Sequence, residues 1–226
     1  DCLLSRGLGD VYKRQWLWFK LNSSTENILE NNFLASFRAI YTNQSELEFR
    51  VFNANEYFPN DFDPTGINSE APLVGGNTYH TNIFEISYSS NPAKDFYFIA
   101  AQNYGKFYDG TKYSFENSIF FRFQPKLLAS VKLNYDAIKL NHLENTAQLW
   151  LVGPKFDFSF TKKLYWATLI QFNSQSENLG VNSRLQWRFN GLSNLFLVYN
   201  DNYLVRETGP ISPRMRSLNL KITYWF

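Results

Sequence analysis

Any chemistry in this chain has few places to reside, and its two histidines, His80 and His142, come first. A serine-type hydrolase needs a hydroxyl, an imidazole within hydrogen-bond reach and a polar group to orient the ring. His142 stands in LNHLENT with Asn141 and Asn145 nearby, and serines occur in the stretches 112–123 and 127–139. They reach the ring only if the fold bends that way, so a solvated loop histidine is the expected role. In NDFDPTG, Asp61, Asp63 and Thr65 stand at i, i+2 and i+4 before Gly66, which opens like a calcium loop. Such a loop needs a bidentate acid at its twelfth position, where this chain has Pro72. The motif fails and reads as a turn-rich outer loop, with weak cation binding by Asp61 and Asp63 as the most it could do. No Gly-rich phosphate loop, metal-spaced His/Cys cluster or carboxylate dyad on one strand face occurs, so no cofactor or metal is expected.

The remaining polar chemistry lies on alternating stretches. Glu48, Arg50, Glu85, Glu116, Arg122, Lys132, Asp136, Arg184, Arg188 and Lys221 all fall on their polar faces. Lining a pore, such residues select solutes by their field. Filling an interior, they pair with one another and with amides, and conduct nothing. The two signs are interspersed, which favours the filled interior. Arg184 and Arg188 are the best candidates for a biased patch, because their strand carries no acid.

The elements that must position these residues are strands. Period-two stretches recur at 16–23, 32–42, 46–56, 79–89, 95–104, 112–123, 127–139, 146–160, 163–173, 181–190, 194–203 and 214–226, with no long helical period between them. In residues 129–136, Ala129, Val131, Leu133 and Tyr135 share one face, and Ser130, Lys132, Asn134 and Asp136 the other. In residues 181–189, Val181, Ser183, Leu185, Trp187 and Phe189 oppose Asn182, Arg184, Gln186 and Arg188.

Alternation alone is the same string in a soluble sheet and a membrane barrel. Three features separate them. First, connections alternate: 42–46, 123–126, 161–163 and 190–193 are tight and 90–95 is only slightly longer, whereas those around 55–79, 140–146 and 201–215 are longer on the whole. Outer-membrane barrels place short turns on the periplasmic side and long loops outside. Second, many stretches approach the ~9–11 residues that cross a bilayer at a tilt. Third, Trp16, Trp18, Phe19, Phe156, Phe158, Phe160, Tyr165, Trp166, Trp187, Phe189, Tyr224 and Phe226 crowd strand ends beside tight turns, as an interfacial girdle would.

Composition agrees. Hydrophobic residues make up 44% and charged residues 19%, which excludes a disordered chain, and a net charge of +2 gives no argument for nucleic acid. Aromatic residues reach 19%, rich enough to furnish a girdle. No apolar run of about 18 residues exists to form a membrane helix. Residues 1–15, DCLLSRGLGDVYKRQ, share no pattern with the rest of the chain and look like translated adapter sequence. They are set aside as non-native, which implies that the native protein begins before Trp16 and is truncated here. The single cysteine, Cys2, lies in that segment, and a cysteine-free 16–226 suits export through an oxidising compartment.

The runs GKFYDGTKYS (105–114) and AQLWLVGPKFDFSFTKKLYWATLIQFNSQSENLGVNSRLQWRFNGLSNLFLVYNDNY (147–203), with the terminal strand, resemble an uncharacterised family. The block NSRLQWRF followed by LFLVYND is the most specific part. Members carry an N-terminal domain like the family-9 carbohydrate-binding modules and a C-terminal outer-membrane β-barrel, and some are labelled "hydrolase". The resemblance covers about three quarters of the chain, all of it barrel. It implies an upstream carbohydrate-binding-like domain and carries no catalytic residue to any position here.

The terminal SLNLKITYWF places Leu218, Leu220, Ile222, Tyr224 and Phe226 on one face. It resembles the C-terminal signal that barrel-assembly machinery reads, and deletion of Phe226 is expected to lower assembled protein sharply. The fold expected is therefore all-β: an antiparallel, up-and-down transmembrane β-barrel of about twelve visible strands over 16–226. Its expected place is the Gram-negative outer membrane. Its expected partners are outer-membrane lipid, the assembly machinery and carbohydrate through the missing domain. Its expected role is anchor or conduit for that domain; an outer-membrane hydrolase and a soluble ligand-binding barrel are the alternatives.

Overall fold

The computed structural model describes residues 8–21, 28–67, 72–206 and 209–225. Among them the chain is all-β, without helix. Its strands are β1 (Leu8–Leu21), β2 (Ile28–Tyr41), β3 (Glu46–Phe58), β4 (Asn77–Ser89), β5 (Phe96–Phe107), β6 (Gly110–Phe123), β7 (Leu127–Lys139), β8 (Ala147–Ser159), β9 (Leu164–Asn173), β10 (Asn178–Arg188), β11 (Asn194–Leu204) and β12 (Ser212–Thr223). They form one antiparallel, up-and-down sheet whose spatial order is the order of the sequence.

Every expected stretch is a strand, with differences at the two ends. β1 begins at Leu8 rather than Trp16, because Asp10–Arg14 pair with Ile40–Ser36 of the long β2. Backbone pairing needs only donors and acceptors, which any non-proline segment supplies. β12 stops at Thr223, which pairs with Asn194, the first residue of β11, so later residues have no ladder to join. Trp225 instead donates its backbone N–H to Ser193 Oγ at 3.0 Å. Phe226 lies outside the described residues. β1 and β12 are the ends of the sheet and, among the described residues, are not paired with each other.

The alternation of connections holds in part. The turns 42–45, 90–95, 124–126, 160–163 and 189–193 fall at one end of the strands and are all tight. At the other end lie the long 59–76 and the loops 140–146 and 205–211, but also the tight 108–109 and 174–177. The β5–β6 turn is allowed by Tyr108 at φ 54° and by a close approach next to it. A Cβ on Gly110 would stand 1.9 Å from the Lys139 carbonyl oxygen, so only glycine fits there. Turn chemistry is local elsewhere. Asn43 Oδ1 accepts from the Ser45 N–H at 3.0 Å, and Gln44 takes φ 67°.

The chain divides into two compact units, residues 1–93, 98–117 and 134–149, and residues 94–97, 118–133 and 150–226. Burial within each is inverted relative to a water-soluble sheet. Among the described residues the buried hydrophobic ones are Ala39, Ala54, Leu73, Ile138 and Leu140, all in the first unit. The large side chains of the apolar faces are exposed instead. Phe33, Phe37, Val51, Phe84 and Ile86 are so in the first unit; Trp166, Trp187, Leu218, Leu220 and Ile222 are so in the second.

Candidate functional site

On the polar face of the first unit, strand register builds an ion ladder. Arg38 stands opposite Glu48, and Arg50 opposite Glu85. Glu48 and Arg50, two apart on β3, share that face. The Arg38 guanidinium lies 2.9 Å from Glu48 Oε2; Arg50 reaches Glu48 Oε1 at 3.0 Å and Glu85 Oε1 at 3.1 Å. Arg50, Glu85, Lys112, Ser114 and Glu116 then line a cavity of about 370 Å³. Asp136 closes this group, accepting from Ser114 Oγ at 2.5 Å with Lys112 Nζ at 3.4 Å. Of the sequence-derived set, the structure thus ties Glu48, Arg50 and Glu85 directly, places Glu116 in the lining of the same cavity, and joins Asp136 to it through Lys112 and Ser114. Arg38 and Lys112 also belong to this network; alternation puts both on polar faces, and the register sets their partners.

Aromatic rings tie the long 59–76 connection to the strand ends of this unit. Phe62 stacks on Phe58 with centroids 3.8 Å apart, and Tyr79 and Tyr108 meet both rings edge-on or tilted. The loop is pinned by the Phe62–Leu73 backbone pair, and Tyr79 donates its hydroxyl to the Val74 carbonyl at 2.8 Å. Burial, the Glu56 charge and a hydrogen bond to Glu56 push the Tyr108 hydroxyl up to about 12. Asp61 and Asp63, the failed calcium motif, serve this loop. Asp61 Oδ1 accepts from the Gly75 N–H at 2.6 Å, and Asp63 Oδ1 from Thr65 N–H and Oγ1 at 2.8 and 2.6 Å. Among the described residues no group of three or more His, Cys, Asp or Glu side chains is placed to hold a metal ion.

The histidines have structural partners. His142 Nδ1 lies 2.9 Å from Asp109 Oδ2, and the Asn141 amide donates to the Asp109 carbonyl, so the 140–146 loop is tied to the β5–β6 turn. His80 hydrogen-bonds Asn55 Oδ1, and Asn55 donates to Asn31. This ladder runs across β2, β3 and β4 on the apolar face, where the run Leu47, Phe49, Val51 gives way to Asn53 and Asn55.

The second unit is less balanced. Arg122 lies 4.9 Å from the Tyr97 ring centroid, and Tyr97 stacks on Phe120 at 4.3 Å. Arg184 sits 6.0 Å from the Tyr165 centroid, while the Tyr165 hydroxyl donates to Asp157 at 2.7 Å and Lys155 reaches Asp157 at 2.8 Å. Among the described residues Lys132, Arg184, Arg188 and Lys221 form no ion pair. The mutual pairing expected of the whole set therefore holds for Glu48, Arg50 and Glu85 and not for these four. Lys221 stands opposite Phe196, with Leu218 opposite Tyr199, Leu220 opposite Leu197 and Ile222 opposite Leu195. Tyr224 stacks on Phe189 at 6.4 Å.

An ion pair also lies on the apolar face. Asp201, 1% exposed, accepts from Tyr199 and Tyr203 hydroxyls at 2.6 Å each and from Arg216 Nε at 2.8 Å. Tyr199, Asp201 and Tyr203 share a face at i, i+2, i+4, which the sequence displays; the partner Arg216 is set by the β11–β12 register.

No family model, curated protein or solved structure matches this chain. Its function rests on these arrangements.

Proposed function

We propose that the chain is part of a transmembrane β-barrel in a bacterial outer membrane, where it anchors an upstream carbohydrate-binding-like domain. The observation that carries this is the inverted burial. In water, large apolar side chains on one face of a sheet are the first to be covered, and contiguous exposed patches are rare. Here Leu218, Leu220 and Ile222 are 67%, 62% and 59% exposed in one row. Lipid is the solvent that suits such a row, while the polar face holds charges, amides and cavities.

Two further features support the reading. The consistently tight turns lie at one end of the strands, as periplasmic turns do. The polar ladder of Asn31, Asn55 and His80 and the Asp201–Arg216 pair end the apolar stretches near the other end, where headgroups would begin. In lipid an unpaired strand edge is intolerable, so the proposal requires partner strands for the outer edges of β1 and β12. The paired ions of the first unit favour an anchor over an open conduit. The family resemblance of 105–114 and 147–203 supplies the upstream domain.

Fractionation tests it. Behind an export signal in a Gram-negative host, the chain should sediment with the outer membrane and leave it only with detergent. Recovery in the soluble periplasmic fraction, folded and without detergent, would sink the reading.

A further inference from the structure

The second unit contains a pocket of one sign. A cavity of about 590 Å³ is lined by Lys126, Lys162, Lys163 and Arg188, with Thr161 and Gln186 among its neutral polar groups and no carboxylate. Among the described residues none of the four cations forms an ion pair. The nearby acid, Asp157, is engaged by Lys155 and by the Tyr165 hydroxyl.

The cations come from three separate chain segments, and backbone hydrogen bonds hold those segments together. The Ser159 N–H donates to the Lys126 carbonyl at 2.7 Å, and the Arg188 N–H to the Lys163 carbonyl at 2.7 Å. Thr161 Oγ1 accepts from the Lys163 and Leu164 N–H groups at 3.1 and 3.0 Å, which fixes the 160–163 turn. Four like charges on a held frame repel one another, and a concave wall concentrates their field. The four exposed side chains stand around one volume too large for one monovalent ion.

We propose that this pocket binds a multivalent oxyanion, the phosphate or carboxylate groups of a solute or of a lipid headgroup. Guanidinium and ammonium donors are the groups that recognise such oxygens, and Thr161 and Gln186 can add neutral contacts. The inference stands on the pocket alone and does not depend on the membrane reading.

The test is calorimetric titration of the full chain in neutral-detergent micelles with tripolyphosphate at about 0.15 M salt. Saturable one-to-one binding is expected. The double variant Lys162→Gln/Lys163→Gln should weaken it by at least about tenfold, and Arg188→Gln by a similar factor, for loss of charge-assisted contacts. Lys139→Gln, in the other unit, should leave it unchanged. Circular dichroism confirms that each variant keeps its strands. With the site established in this way, competition from phosphatidylglycerol added to the micelles identifies a headgroup as occupant, and its absence identifies a soluble anion. Binding that does not saturate, or that falls equally in Lys139→Gln, overturns the proposal.

Discussion

Leu220→Arg separates a lipid-facing sheet from a water-facing one. Leu220 is opposite Leu197 and lies between Arg216 and Tyr224, four positions from each along β12. At ~3.3 Å per residue and a tilt of ~40°, each flank is about 10 Å of depth, so Leu220 would sit near the middle of an apolar layer of roughly 20 Å. That is close to the ~25 Å band of outer-membrane barrels, where an arginine at the midplane costs about 2–4 kcal/mol. In water the same change at a side chain already 62% exposed should stay within about 0.5 kcal/mol. Asn219→Arg, one residue away on the polar face, is the control and should be near neutral in either setting. The assay is urea titration of folding into phosphatidylcholine vesicles, followed by tryptophan fluorescence. A Leu220→Arg midpoint equal to that of Asn219→Arg would refute the assignment of faces.

Arg50→Met leaves Glu85 without its cation, and with the Arg50 side chain 40% exposed the cost should fall to about 2 kcal/mol rather than the full value of a buried pair. Combined with Glu85→Gln it should recover about 1 kcal/mol in a double-mutant cycle; strict additivity would show the pair to be idle. For Tyr108, the hydroxyl is raised to about 12 in the fold. Its contribution is therefore complete below the ordinary tyrosine value of about 10 and is lost as pH climbs through the folded value. Protease resistance of the 59–76 loop should drop in that alkaline window, and the Tyr108→Phe chain should lack that component of the drop. Phe62→Ala removes a ring stacked 3.8 Å from Phe58, and for this half-buried site about 2 kcal/mol, or roughly thirtyfold faster cleavage within the loop, is expected. Unchanged cleavage would mean that the loop is held by other contacts.

Strand positions were legible because period two is a property of one chain: β7 and β10 declare both faces without reference to a neighbour. The tight-turn end was legible for the same reason. The other end was only half so, since the turn at 108–109 depends on backbone approach at Gly110, and that is a fact about Lys139, a residue far along the sequence. Pairing partners were not legible at all. Glu48, Arg50 and Glu85 could be placed on a face, but Arg38 sits within the largely apolar run FLASFRAIY and gains its role only by standing opposite Glu48. The grouping of Lys126, Lys162, Lys163 and Arg188 around one cavity likewise needs three segments brought together in space.

The Asp201–Arg216 pair has a consequence for how the last two strands choose their alignment. The row Leu195, Leu197, Tyr199 against Ile222, Leu220, Leu218 is nearly self-similar under a two-residue slide, because period two returns every side chain to its own face. Apolar contacts alone would hardly tell one alignment from the next. A slide of two one way would set Leu218 opposite the 1% exposed Asp201 and leave its carboxylate without a cation, whereas a slide the other way would set Arg214 there. The pair thus works against one of the two neighbouring alignments. In a closed barrel the sum of such alignments is the shear, and the shear with the strand number sets the diameter. One aspartate on the outside would then help to fix how wide the inside can be.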